Sequence, residues 1–166
     1  MTSPEIPGAE GTGAEGPEGG APGPPARGWL LARGLEGLLR DEVLLLAPGQ
    51  EAVLGRGSGS TFPLTRSARY RAMSADPSRL RSACQGVSRR HFRMIVSPSG
   101  DVVVEDLSRA GTYVDGRKLT GPLRIRDLRD RPHEIRFGRT ERLELRWVVP
   151  ADGGAGGAPV PGADGD

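Results

Sequence analysis

The most constraining feature of this chain is a regular succession of short segments in which apolar and polar side chains alternate. Three segments near the C-terminal end carry arginine on one face and apolar groups on the other: Leu123 to Arg126, Glu134 to Phe137, and Leu143 to Trp147. Gly, Pro and Asp separate such segments, and little helical periodicity intervenes. Half-buried strands in this order predict an all-β protein, an antiparallel sandwich or barrel.

The same reading predicts five earlier strands: Trp29 to Arg33, Glu42 to Leu46, Glu51 to Leu54, His91 to Val96, and Asp101 to Glu105. The last two are joined through Ser97-Pro98-Ser99-Gly100, which predicts a hairpin. Leu35 to Leu39 is interpreted as a connection, because Gly34 and Gly37 disfavour a helix. The predicted core residues are Trp29, Phe92, Ile95, Ile125, Ile135, Phe137, Leu145 and Trp147.

The two ends of the chain differ in composition from its middle. Gly and Pro make up 13 of the first 27 residues and eight of residues 151–166. Such segments bury too little apolar surface to offset the cost of ordering, so we expect disordered tails at 1–27 and 151–166. Residues 28–150 then form one domain.

Charge follows the same division. Each tail carries −3 and the middle carries +8, within a formal net charge of +2. A basic module between acidic tails suits a negatively charged partner, but it also suits weak occupation by the chain's own tails. Lys118 is the single lysine among 23 basic residues, a bias that codon usage in a GC-rich genome explains.

Residues 65–86 do not fit the strand pattern. This polar stretch contains five arginines against one acid, Asp76. Long loops without structure are uncommon in compact domains. The stretch is interpreted either as a flexible insertion without consequence or as a recognition loop. A short helix around Pro77 to Cys84, with Ser78 as a possible cap, is compatible with both.

Three motifs carry the chemistry. Gly55-Arg56 ends a predicted strand, Gly86-Val87-Ser88-Arg89-Arg90-His91 enters another, and the run Asp106 to Gly116 follows the hairpin. In this order they resemble the forkhead-associated (FHA) domain, over about residues 30–148. The resemblance implies a β-sandwich that binds phosphothreonine peptides through the loops at one end. A phosphothreonine offers about −1.5 to −2 charge and three acceptor oxygens, which arginine forks and hydroxyl donors satisfy.

The resemblance also implies a role for each site residue. Arg56 and Ser88 would hold the phosphate, and Arg89 would add a second contact. His91 would brace the loop from behind, with Gly55 supporting the site. The peptide-binding set is completed by Arg109, a possible further fork, and by Gly111.

One position departs from the family pattern. Relatives usually carry Asn before Gly-Thr, and its amide grips the peptide main chain, whereas this chain has Ala110 before Gly111-Thr112. Losing that amide costs roughly tenfold in affinity. Two interpretations remain open: binding that persists but depends more on charge, or a phosphate-independent interaction with another protein.

Other classes of function find less support. No acid–base pair, Walker motif or metal-ligand spacing is present, and Cys84 is alone, so we predict no enzyme, no cofactor and no metal. No run of about 18 apolar residues or signal peptide is seen. Nucleic-acid binding is a less favoured alternative. The middle of the chain is basic, but aromatic residues make up only 4% of the sequence and offer no platform on which bases could stack.

The sequence therefore predicts a non-catalytic phosphothreonine-binding adaptor, cytoplasmic and bacterial, in Ser/Thr-kinase signalling. Its partner would be a phosphothreonine-containing protein, either a Ser/Thr kinase or a kinase substrate. A further alternative involves Thr12, which lies on the flexible N-terminal arm. If phosphorylated, Thr12 could occupy the site in cis or bridge two copies.

Overall fold

The computed structural model describes residues 26–150, and in this range the chain forms eleven strands. Their bounds are β1 Trp29–Glu36, β2 Val43–Leu46, β3 Glu51–Gly55, β4 Phe62–Pro63, β5 Phe92–Val96, β6 Val102–Asp106, β7 Thr112–Val114, β8 Arg117–Lys118, β9 Leu123–Ile125, β10 His133–Phe137 and β11 Glu141–Val148. One sheet has six strands in the order β2-β1-β11-β10-β7-β8. The other has five, in the order β4-β3-β5-β6-β9.

The all-β sandwich prediction is confirmed. Neighbouring strands pair antiparallel throughout the described range, except that the two-residue strand β4 runs parallel to β3. The predicted strands occur within two residues of their expected bounds, except that β1 continues three residues beyond Arg33, to Glu36. The short strands β4, β7 and β8 were not predicted, since two or three residues are too few for an alternation to be recognised.

The core lies between the sheets. Phe92 of β5 and Phe137 of β10 meet there, with ring centroids 4.9 Å apart in an edge-to-face arrangement. Six of the predicted core residues are buried, but Trp29 and Ile95 are only half-buried. Because side chains alternate along a strand, Phe92 and Ile95 face opposite sides of β5, so the prediction placed both on one face wrongly. In β1 the buried face likewise begins with Leu30, which is fully buried, and its neighbour Trp29 lies on the other face.

A buried carboxylate joins the start of β11 to the turn after β1. Residues Gly37–Leu39 form a single 3-10 turn, whereas Leu35 and Glu36, which were predicted as part of the same connection, belong to β1. The side chain of Glu141 accepts hydrogen bonds from the backbone N–H groups of Leu38 and Leu39, at 2.7 and 3.1 Å. Burial raises the pKa of Glu141, although these two N–H groups oppose the effect.

The stretch 65–86 is folded, so its interpretation as a flexible insertion is wrong, while its role in recognition stays a prediction. It begins with a 3-10 turn, Leu64–Arg66, followed by α1, Ala68–Met73, and α2, Pro77–Ala83. The short helix was therefore predicted correctly, but Ser78 is not its cap. Asp76 is the N-cap and accepts from the N–H of Arg79 at 3.1 Å. Pro77 occupies the first helical position, which suits a residue without an N–H, so the cap must precede it.

The two helices, with the turns around them, are called the insert (residues 64–86). The insert is attached to the sandwich at several points. Side chains of α1 and α2 pack against the core, among them Tyr70 and Met73. The N–H and the guanidinium of Arg139 bond to the backbone and side-chain oxygens of Gln85, at 3.1 and 3.0 Å. The insert therefore has a defined position on the domain.

The predicted tails, 1–27 and 151–166, lie outside the described residues except for Ala26 and Arg27. Thr12 lies outside them as well. Among residues 26–150, no helix is both long and apolar enough to cross a bilayer.

Candidate functional site

Three loops meet at one end of the sandwich. The first loop (56–61) follows β3, the second (84–91) joins α2 to β5, and the third (107–111) joins β6 to β7. The first two are connected through their backbones: Arg56 N–H donates to the carbonyl of Ser88, and Gly57 N–H to that of Arg89, both at 3.0 Å. These bonds lie beyond the last β3–β5 pair, Leu54 with Phe92, and they hold the first loop against the second.

Gly55 allows this close approach. A Cβ at Gly55 would collide with the carbonyl oxygen of Arg89. The same oxygen accepts the hydroxyl of Ser60 at 2.7 Å, which anchors the far side of the first loop. The lack of a side chain at Gly55 thus lets the end of β3 approach the backbone of the second loop, and the supporting role of Gly55 in binding stays a prediction.

The guanidinium of Arg56 has a fixed orientation. Its Nε donates to the carbonyl of Val87 at 2.9 Å. Among the described residues, neither terminal nitrogen of Arg56 has a hydrogen-bond partner, which leaves the end of the fork available to a ligand. Val87 itself is held in place by burial, being 4% exposed.

His91 links the second loop to the third. The N–H of Ser88 donates to Nδ1 of His91 at 3.0 Å, and Nε2 lies 3.2 Å from the carbonyl of Gly111. Because Nδ1 accepts, the proton is on Nε2, which donates to that carbonyl. Burial lowers the pKa of His91, against opposing effects from Gly111 and Asp106, and so favours this neutral form.

A second network shapes the third loop. Oδ1 of Asp106 accepts from the backbone N–H and hydroxyl of Ser108, at 3.0 and 2.7 Å, and from the hydroxyl of Thr112 at 2.9 Å. Burial alone would raise the pKa of Asp106, but these donors outweigh it and the pKa lies below its usual value. The carboxylate is therefore ionised at neutral pH, and its three hydrogen bonds connect the start of the loop to Ser108 and to Thr112 at its end.

Gly111 supports the loop from within. It is buried, its φ of +98° is in the region that favours glycine, and its N–H donates to the hydroxyl of Ser108 at 2.8 Å. With its N–H used here and its carbonyl bonded to His91, Gly111 has no free donor for a peptide. The prediction that Gly111 contacts the peptide therefore finds no support in this geometry.

The remaining predicted binding residues surround one depression. It has a volume of about 590 Å³ and is lined by Arg56, Gly86, Val87, Ser88, Arg89, Arg109 and Ala110. The Ser88 hydroxyl accepts only a long contact of 3.4 Å, from the N–H of Arg109, so its own proton is free to donate. Within residues 26–150, no carboxylate lies within 4.0 Å of the guanidinium of Arg56, Arg89 or Arg109.

The structure thus brings together four of the predicted binding residues and places His91 behind them. Sequence reasoning did not foresee the carbonyl of Val87 that orients Arg56. It also included Asp106 and Thr112 in a motif without giving them a role. No local pattern could have identified the first, because Val87 lies 31 residues from Arg56.

Comparison with known proteins agrees with this arrangement. The sequence model of the FHA domain matches residues 53–138, which is more than half of the chain. None of the curated proteins compared with the chain matches it.

Solved structures resemble the fold. An FHA domain of an Arabidopsis thaliana hypothetical protein has a TM-score of 0.57 at 18% identity, with 89% of this chain and 100% of that one covered. The N-terminal FHA domain of Saccharomyces cerevisiae Rad53p, solved with a phosphothreonine peptide, has a TM-score of 0.51 at 13% identity, covering 72% and 94%. Mycobacterium tuberculosis EmbR, solved with a low-affinity phosphopeptide, has a TM-score of 0.51 at 16% identity, covering 76% and 26%. The fold, the order of the motifs and the matched family together show that this chain belongs to the FHA domain family.

Proposed function

We propose that this chain binds phosphothreonine peptides at the depression formed by its three loops, without catalysing a reaction. Arg56 and Ser88 hold the phosphate, and Arg89 and Arg109 add charge at its edges. The partner is a protein phosphorylated by a Ser/Thr kinase, or the kinase itself, in the cytoplasm of a bacterium.

The observation that carries this proposal is the set of cations without acidic partners. Three guanidinium groups and one hydroxyl, from three separate loops, border a single depression. Like charges held close together without a counter-charge repel one another, and an anion bound between them relieves the repulsion. A dianionic ester with three acceptor oxygens suits both the charge and the donors.

The solved structures supply independent support for the class of ligand. Two proteins of similar fold were captured with phosphopeptides, one of them containing phosphothreonine. Their identities to this chain are too low to transfer residues, so the assignment of each role depends on the geometry described above.

Ala110 gives reason for a second candidate, a phosphate-independent interaction with a protein. Its side chain is exposed at the edge of the depression and has no amide to bond a peptide backbone. In this case the loops would still bind a protein, but phosphorylation would not change the affinity.

A peptide-binding measurement separates the two candidates. Paired phosphothreonine and threonine peptide libraries are titrated against wild type, Arg56→Ala and Ser88→Ala by fluorescence anisotropy. We expect wild type to prefer the phosphorylated library by at least about 100-fold, and each substitution to remove most of that preference. Equal binding of both libraries to wild type would reject phosphothreonine recognition in favour of the second candidate.

The variant Ala110→Asn provides a gain-of-function control at the same site. An amide at this exposed position should restore main-chain hydrogen bonds and tighten phosphopeptide binding by about tenfold. An unchanged affinity would mean that the peptide does not pass over residue 110.

A further inference from the structure

A second depression lies directly beside the first, between the insert and the loops. It has a volume of about 560 Å³, within the range of roughly 300–1,000 Å³ that is common for ligand sites. Its lining includes Tyr70 of α1, Leu80 of α2, and Cys84 and Val87 of the second loop. We call this depression the insert pocket.

The lining of the insert pocket is apolar where the helices face it. Tyr70, Leu80 and Cys84 are half-buried, so their apolar surfaces are neither withdrawn into the core nor fully exposed. Burial, together with the negative charge of Glu141, raises the pKa of the Cys84 thiol against the opposing effect of Arg56. The thiol is therefore neutral at physiological pH and acts as a small apolar group.

The insert pocket is continuous with the depression proposed to hold the phosphate. The two share Arg56, Gly86 and Val87 in their linings. An extended peptide advances about 3.3 Å per residue, so a side chain roughly two to four residues from the phosphothreonine would reach the insert pocket. A peptide that enters one depression would thus place a neighbouring side chain over the other.

The arginines that line the insert pocket indicate the charge of the peptide that would bind there. Arg81 lines the insert pocket together with Arg56. Within residues 26–150, neither guanidinium has a carboxylate within 4.0 Å. The one acid of residues 65–86 is Asp76, which accepts from the N–H of Arg79 as the cap of α2 and is not among the residues that line the insert pocket. An acidic side chain beside the apolar one would therefore meet an uncompensated cation.

We propose that the insert pocket is a specificity site that binds an apolar side chain of the phosphopeptide, of leucine or methionine size, flanked by an acidic residue paired with Arg81. This inference rests on the proposed phosphothreonine binding and adds a sequence requirement to it. The helices of the insert supply the walls, and their attachment through Gln85 and Arg139 keeps those walls in place before the peptide arrives.

The test is a phosphothreonine peptide library, with a matched threonine library, in which each of about four positions on either side of the fixed residue is varied in turn. Wild type should prefer Leu or Met over Ser by about tenfold at one position roughly two to four residues from the phosphothreonine, and Glu over Lys next to it. Leu80→Gln should reduce the apolar preference to less than about threefold, because a polar group then lines the wall.

Arg81→Glu tests the charge without touching the apolar wall. We expect it to abolish or reverse the acidic preference while leaving the apolar one in place. Arg79→Glu is the matched control, since it makes the same charge change two residues away on α2 and borders a different depression. It should leave both preferences as in wild type. Arg81 is exposed, so this part of the test remains valid even if Leu80→Gln impairs folding.

The outcomes distinguish the two proposals. Phosphate-dependent binding with no positional preference, or with preferences that neither Leu80→Gln nor Arg81→Glu alters, overturns the insert pocket as a specificity site and leaves phosphothreonine binding intact. Equal binding of phosphorylated and unphosphorylated libraries overturns both.

Discussion

Strand β7 has a cluster of ionisable side chains at each end, and the two clusters are organised in opposite ways. Before the strand lie the cations of the three loops. After it lies a turn cluster made of Asp115, Asp127, Arg131 and His133. The ring of His133 is 2.7 Å from Asp115 and 2.8 Å from Asp127, and Arg131 is 2.6 Å from Asp127.

In the turn cluster every ionisable group contacts a group of opposite charge type, whereas in the loop cluster no arginine has a carboxylate partner among residues 26–150. Both clusters border open depressions, so concavity does not distinguish them. The charge balance does: paired groups contribute to the fold, and unpaired groups held in place by backbone bonds are available to a ligand. We therefore expect substitutions in the two clusters to affect different measurements.

The largest contrast should come from His133→Ala and Arg89→Ala. His133 is 5% exposed, and its removal leaves a cavity and two facing carboxylates. We expect the free energy of unfolding to fall by about 3 kcal/mol, with phosphopeptide affinity unchanged. Arg89→Ala should change the free energy of unfolding by less than about 0.5 kcal/mol but lower the affinity for the phosphopeptide by about tenfold.

Urea unfolding and peptide titration of both variants supply the measurements. Two results would contradict the assignment of one cluster to stability and the other to binding. One is that Arg89→Ala destabilises the fold as much as His133→Ala, and the other is that His133→Ala lowers phosphopeptide affinity tenfold.

Gly55→Ala should affect both stability and binding, because Gly55 lies where the first two loops touch. The added methyl collides with the carbonyl of Arg89, so the loops must separate, at a cost of about 2 kcal/mol. Phosphopeptide affinity should fall with it, since Arg56 and Ser88 move apart. Gly59→Ala is the matched control: it lies four residues further on, in the first loop, with open space around its Cβ, and it should behave as wild type. Thermal unfolding and titration of both variants would show whether the loop contact matters.

Acidification should loosen the loop cluster through His91. Its pKa in the folded protein lies below the ordinary 6.5 because it is buried, so the unfolded chain takes up the proton first as the pH falls. The stability present above pH 6.5 is therefore lost progressively below it. His91→Asn keeps an acceptor for the N–H of Ser88 but does not titrate. Urea unfolding at several pH values should give a shallower decline for the variant than for wild type between pH 7 and 5; equal slopes would contradict this account.

The smallest effect is expected in the turn cluster at lower pH. Burial would raise the pKa of Asp115, but the N–H of Glu134, His133 and Arg131 together lower it below the ordinary 3.8. Its contribution is present above that value and is lost as the pH falls through the folded pKa. Asp115→Asn tolerates the φ of 49° at this turn and removes the charge. Its amide oxygen can still accept from the N–H of Glu134, while its NH2 group replaces the carboxylate oxygen beside His133. In acid unfolding followed by circular dichroism, the variant should lose less stability than wild type below about pH 4. An identical acid transition would show that the charge of Asp115 contributes nothing to stability.

Much of the architecture could be predicted from the amino-acid sequence, and the exceptions have physical causes. Alternation in Leu143 to Trp147 predicts a strand correctly because a period of two residues is a local property. The misplacement of Ile95 shows the limit of the same signal: in an apolar strand the pattern does not say which face is inside. Asp76 was missed as a cap because its role depends on Pro77 occupying the next position.

For the site, sequence motifs identified the residue types but not their connections. Ser88, Arg89 and His91 follow one another closely, so their joint position in one loop could be predicted. The hydrogen bond of Arg56 to Val87 and the bridge from His91 to Gly111 join segments 31 and 20 residues apart. Which atoms meet across such distances depends on strand register and loop length, which local patterns do not contain.

The amino-acid order was thus sufficient for the strand pattern, the β-sandwich and the residues able to bind an anion, because each follows from neighbours in the chain. Tertiary structure decided that Gly111 is enclosed, that the insert forms two docked helices, and that Leu80 and Arg81 lie beside Arg56. These outcomes depend on packing between distant segments, where burial and steric fit select one arrangement among many that the local sequence permits.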